Sequence, residues 1–165
     1  MPRFLPRFLP RLTKVLLISG VLSWPGAAAA EVVWTLSKKA GRAYLKGFSS
    51  VVEADSEFWA HCQADGSIQF GAGADSNVGK GRGETVTLTF TSGGATAKLA
   101  GASRESQNFQ MTAGTELRIK IARTDPLFVV FATGKPIAVT GSIKRVTWEV
   151  KGLKSKAAAF LQRCI

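Results

Sequence analysis

The chain predicts a mainly β fold: an antiparallel β-sandwich or partly open barrel of about eight to ten short strands, with one C-terminal α-helix packed on it. Three observations carry this reading. Period-two alternation of apolar and polar residues recurs in three segments, turn-forming pairs separate them at short intervals, and helix-type composition is confined to the chain's end. No βαβ period of about 30 residues runs through the sequence, which disfavours a parallel sheet.

Residues 1–30 read as a secretory signal peptide. Arg3, Arg7, Arg11 and Lys14 precede any acidic residue, Val15–Trp24 is an apolar run of ten, Pro25-Gly26 breaks it, and Ala28 and Ala30 supply the small residues a signal peptidase requires. A spanning helix needs roughly 20 apolar residues, so the run is too short for a retained anchor. With no cysteine directly after it, a lipoprotein is disfavoured too. Cleavage near Ala30/Glu31 would leave residues 31–165 as a single disulfide-closed β domain, periplasmic or secreted, with no transmembrane segment. The leader carries four basic residues, so its loss lowers the net charge from +11 to +7, with 18 basic residues against 11 acidic ones.

In the remaining chain, Val32–Leu36 puts Val32, Trp34 and Leu36 on one face of a strand. Lys38, Lys39, Arg42 and Lys46, interleaved with Tyr44 and Phe48, then form a basic-aromatic segment. Glu57–Gln63 aligns Phe58, Ala60 and Cys62, and Ser67–Phe70 follows after an Asp65-Gly66 turn. Gly71–Gly83 (GAGADSNVGKGRG) holds five glycines and reads as a mobile loop with Lys80 and Arg82 at its tip. Glu84–Thr91 alternates Val86, Leu88 and Phe90 with four threonines, and Gly93-Gly94 offers a tight hairpin into Ala95–Leu99. Asn108–Met111 reads as a short strand before an Ala113-Gly114 turn. Thr115–Ala122 alternates Leu117, Ile119 and Ile121 with outward Glu116, Arg118 and Lys120. Leu127–Phe131 is apolar on both faces and reads as a central, doubly covered strand, with Ile137–Val139 returning after Gly134-Lys135-Pro136. Arg145–Lys151 alternates around Val146, Trp148 and Val150. Leu153–Cys164 is the predicted helix, its apolar face formed by Leu153, Ala157, Phe160, Leu161 and Cys164.

Two cysteines follow the leader, and in an oxidising compartment Cys62 and Cys164 are expected to form one disulfide. A nucleophilic Cys62 activated by His61 is disfavoured, because adjacent strand residues point to opposite faces. The ending VKGLKSKAAAFLQRC resembles the tail of small exported bacterial proteins, where a last strand and Gly-Leu lead into a short helix whose Cys bonds back to the sheet. That resemblance implies an exported accessory protein.

The glycine loop departs from the P-loop pattern: Gly73 and Gly79 have five residues between them where the pattern has four, and Lys80 is followed by Gly81 rather than Ser or Thr. Glu53, Asp55 and Glu57 recur at every second residue, but read as solvated strand-edge charges. Asp75, Ser76 and Asn77 lack the EF-hand pattern. His61 is the sole histidine, expected on the outer face of its strand, and no GxSxG accompanies it. No cofactor or metal set is expected. Trp34, Phe58, Phe70, Phe90 and Trp148 read as core, which disfavours nucleic acid; Tyr44, Phe48 and Trp59 are candidates for a surface patch.

The expectation is therefore a non-catalytic binding protein. Lys80, Arg82, Lys38, Lys39, Arg42, Tyr44 and Lys46 are its candidate binding residues. Its partner would be a protein or an anionic envelope component such as a lipid head group or polysaccharide. The alternatives are an inhibitor of a secreted protease or lysozyme acting through the Gly71–Gly83 loop, and a hydrolase with an unfamiliar site around His61.

Overall fold

A computed structural model describes residues 32–49, 56–73, 77–107 and 109–164. The proposed leader and cleavage point, together with Glu53, Asp55, Asp75 and Ser76, lie outside them. The described elements are β1 (Val32–Lys39), β2 (Arg42–Ser49), β3 (Ser56–Cys62), β4 (Ile68–Ala72), β5 (Arg82–Ser92), β6 (Ala95–Glu105), α1 (Phe109–Thr112), β7 (Thr115–Ile121), α2 (Pro126–Ala132), β8 (Ile137–Gly141), β9 (Val146–Trp148) and α3 (Leu153–Arg163).

All nine strands join one antiparallel sheet in the order β1-β2-β3-β4-β7-β6-β5-β8-β9. The mainly β expectation with a C-terminal helix holds, and of its two forms the barrel is the one adopted: a single, nearly closed sheet. The Trp34 indole N–H on β1 donates to the Glu149 carbonyl just after β9 at 3.0 Å, linking the two ends of the sheet.

The alternation read from sequence decides which face turns inward. Trp34, Phe58, Phe70, Phe90 and Trp148, expected as core, are buried. Their rings meet mostly edge to face, with Phe58–Phe70 centroids 5.0 Å apart and Trp34–Phe58 5.3 Å apart, the arrangement favoured by aromatic quadrupoles. Gly93 and Gly94 turn the β5–β6 hairpin with φ of 53° and 88°, values that a side chain resists.

Two expected strands are helical. Leu127–Phe131 lies in α2, where the Asp125 carboxylate accepts the Leu127 N–H at 2.9 Å and Pro126 occupies the first turn. Asp-Pro is a helix start as well as a turn, and a five-residue apolar run has no periodicity to tell the two apart. The helix is not covered all round: Leu127, Phe128, Val130 and Phe131 are buried while Val129 is exposed. Phe131 reaches Phe58 at 5.1 Å between centroids, so α2 packs against the concave interior. Residues of the expected Asn108–Met111 strand fall in α1, closed by the Ala113 N–H donating to the Phe109 carbonyl at 2.7 Å; Asn108 is outside the described residues. The last strand is only Val146–Trp148, shorter than Arg145–Lys151.

One strand was not anticipated. The basic-aromatic segment forms β2, with Ala43, Leu45, Gly47 and Ser49 inward and Arg42, Tyr44, Lys46 and Phe48 outward. Helix α3 buries Leu153, Ala157 and Phe160, stacking Phe160 on Phe128 of α2. Cys164 then bonds Cys62 at the end of β3, Cα to Cα 5.3 Å, as expected.

A ring platform on the outer face as candidate functional site

Antiparallel register places residues of neighbouring strands side by side, and on the outer face of β1–β4 and β7 it builds two rows. One runs Ser37, Tyr44, His61, Gln69 and Lys120; the next runs Thr35, Lys46, Trp59, Gly71 and Arg118. Three aromatic rings from these rows stack. Tyr44 and His61 lie 5.2 Å apart with planes 29° off parallel, and His61 and Trp59 lie 5.5 Å apart at 14°.

Trp59 anchors this stair. A Cβ at Gly71 would stand 2.3 Å from the indole Cε2, so the ring lies across a position that only glycine can leave open. Its Nε1 donates to Glu116 Oε2 at 2.8 Å, and the Arg118 guanidinium sits 5.8 Å from the ring centroid. Arg118 Nε also binds Glu116 Oε1 at 2.6 Å, and its Nη2 donates to the Glu105 carbonyl at 2.8 Å. Trp59, a candidate for a surface patch, is only 5% exposed, and Glu116, expected to point outward, only 1%. Glu57 corrects the same way: it is not a solvated edge charge but 4% exposed. These residues do point away from the core, but here the outer face is itself covered, and alternation reports direction rather than depth.

His61 lies on the outer face as expected. The Gln63 side-chain amide is hydrogen-bonded to its Nε2 at 2.7 Å, with donor and acceptor set by the imidazole tautomer. Partial burial, and secondarily the Arg42 guanidinium, lower its pKa from the ordinary 6.5.

A hollow of about 350 Å³ opens beside the stair, lined by Ser37, Lys39, Tyr44, Lys46, Trp59 and His61. Four of the sequence-derived candidates converge on this face: Lys39, Arg42, Tyr44 and Lys46. Lys39 and Arg42 are directly opposed across the β1–β2 pair, a like-charge placement that works against sheet stability. The cations farther along the sheet are engaged, Arg118 with Glu116 and Lys120 with Asp65 at 2.5 Å. Neither ion pair among the described residues includes Lys39, Arg42 or Lys46. Lys46 instead stands 5.9 Å from the Phe48 ring centroid.

The other candidates fall elsewhere. Lys38 alternates away and, with Gly41, Ala43 and Arg163, lines a separate hollow of about 420 Å³. Lys80 and Arg82 are exposed in the glycine segment, whose two ends belong to β4 and β5. Among its described residues this segment is braced rather than open. The Glu84 carboxylate accepts the Lys80 N–H through Oε1 and the Arg82 N–H through Oε2 at 3.0 Å, while the Gly81 N–H donates to Ser103 Oγ at 2.8 Å. The amides that Glu84 accepts, Lys80 first, lower its pKa. Backbone donors of the kind that cradle a phosphate are thus already taken by the chain's own carboxylate.

The sequence reading found the cations and Tyr44 but not the stack, because ring proximity depends on the β2–β3 register, and β2 itself was unassigned. The available signal was alternation in RAYLKGFS, masked by Gly47 and Ser49 at inward positions. Comparison with protein-family models, curated proteins and solved structures found no match to this chain.

Proposed function

We propose that the protein is an exported, non-catalytic binding protein whose β1–β3 outer face engages an anionic component of the cell envelope. One observation carries the reading. An ordered ring stair stands beside Lys39, Arg42 and Lys46, cations brought together across strands without an acidic partner in either described ion pair. Opposed like charges lower stability unless something outside the chain neutralises them. Export fits the Cys62–Cys164 disulfide, a bond that persists in oxidising compartments.

The test is retention of the purified protein on acidic polysaccharide and on anionic lipid vesicles, each compared with a neutral counterpart. Binding to an anionic surface is expected at low salt. It should be lost at about 1 M salt, where the screening length falls to about 3 Å. Lys39→Glu with Lys46→Glu should abolish it. Retention that ignores both salt and charge reversal would refute the reading.

A further inference from the structure

The chemistry of the same face specifies the ligand more narrowly. Tyr44 uses one ring face against His61. On its other side, across the β1–β2 pair, stands Ser37, whose short side chain leaves room beside the ring, and the hollow opens there. Lys39 is two residues along β1 from Ser37 and Lys46 two along β2 from Tyr44, so both lie on the same outer face and flank the gap. His61 also lines the hollow, and with its Nε2 taken by Gln63 its second ring nitrogen, Nδ1, remains for a polar contact.

A flat aromatic face between two cations, with an imidazole beside it, matches a ligand having three properties. It must present an apolar face of ring size, hydroxyls at its rim and fixed negative charge. A pyranose ring bearing a carboxylate or sulfate has all three. A lipid phosphate has the charge but no rigid face to lay on the tyrosine. We infer that the gap over Ser37 is a stacking subsite for one sugar of an acidic glycan. Tyr44 carries the ring face, and Lys39 and Lys46 neutralise the acidic group. This inference rests on the anion-binding reading of the same face and narrows it.

Titration calorimetry with soluble galacturonate and heparin-derived hexasaccharides tests it, set against an uncharged galactan hexasaccharide, inorganic polyphosphate and phosphatidylglycerol vesicles. At least one acidic oligosaccharide should bind at least tenfold more tightly than the neutral one. Tyr44→Ala should weaken it about tenfold, the loss expected when a stacked ring is removed, while Tyr44→Phe keeps the affinity. Lys39→Ala with Lys46→Ala should bring the acidic ligand down to the level of the neutral one. Ring-proton shifts of His61 on adding ligand give a second readout, with the melting temperature of each variant confirming the fold. Polyphosphate or lipid binding that is indifferent to Tyr44→Ala, with neither oligosaccharide bound, would overturn the sugar subsite and leave the broader anion-binding reading intact. Binding of none of these polyanions would overturn both. Equal binding of neutral and acidic oligosaccharides would overturn the role of the two lysines, and with it the inference.

Discussion

Replacing both cysteines, Cys62→Ala with Cys164→Ala, removes the one covalent link across the fold. The bond joins residues 102 apart in sequence, from the end of β3 to the residue after α3. Closing a loop of that length restricts the unfolded chain, and the chain-entropy relation gives about 4.7 kcal/mol for a loop of roughly 100 residues. For a domain of this size each kcal/mol shifts the melting temperature by roughly 3–4 °C, so the variant should melt roughly 10–20 °C lower. The loss should also be uneven. Without the bond, α3 is held by Leu153, Ala157 and Phe160 packed on α2 and the first two strands, whereas β3 keeps strand partners on both sides. Amide exchange in α3 should therefore accelerate before exchange in β3 does. Calorimetry with and without reductant, and exchange mass spectrometry on the variant, read both effects. A melting temperature lowered by less than about 3 °C would refute the loop-entropy argument, since a link of this span cannot be entropically neutral.

Three further outcomes are expected. Gly71→Ala drives a Cβ into the Trp59 indole and should cost about 1–3 kcal/mol in denaturant unfolding, with a changed near-ultraviolet tryptophan signal; unchanged stability would mean the indole does not lie on Gly71. Glu84→Ala should speed exchange of the Lys80 and Arg82 amides without affecting the β2–β3 pair. In the wild type the same protection should fade as acid protonates the Glu84 carboxyl, at a pH below the ordinary glutamate value of 4.5. His61 should titrate by NMR below 6.5, and Arg42→Ala should raise the midpoint only in part, because burial is the larger cause. Since the folded state disfavours the imidazolium, this group leaves stability unchanged above 6.5 and lowers it as the pH falls toward the depressed value; a midpoint at or above 6.5 would contradict the assignment.

The parts of the fold legible in the sequence were those where one face of a strand is buried and the other is not. Val86, Leu88 and Phe90 of β5 alternate with threonines, and the strand lies where the pattern puts it. The disulfide was legible because two cysteines admit one pairing. Two kinds of element were not. In α2 every residue but one of Leu127–Phe131 is buried, and a run buried nearly all round carries neither a period of two nor one of 3.6. In β2 the inward side chains shrink to Gly47 and Ser49 at one end, so its alternation fades although its geometry does not. The candidate site was half legible for the same reason. Its lysines and tyrosine are visible as residue types, but the row that joins Tyr44 to His61 exists only once β2 is paired with β3.

The covered part of the outer face explains why the stair can serve as a rigid platform. A tryptophan on the convex side of a sheet is ordinarily free to choose among rotamers, and an adjacent histidine would follow it. Here the Trp59 indole is fixed in three ways: by Gly71 beneath it, by its hydrogen bond to Glu116, and by the Arg118 guanidinium near its ring. Burying the Glu116 carboxylate would be costly alone, but one oxygen takes the indole N–H and the other the Arg118 Nε. Each of these groups therefore restrains the next, and His61 packs nearly parallel to an indole already held. Tyr44 is the ring of the series that borders the hollow beside Ser37, and among the described residues lining it the charged ones are the lysines Lys39 and Lys46. Preorganisation of this kind lowers the entropy a ligand must offset on binding. Glu116 is spent holding the platform at its Trp59 end, and among the described residues the Tyr44 end is left with positive charge and a fixed ring to present.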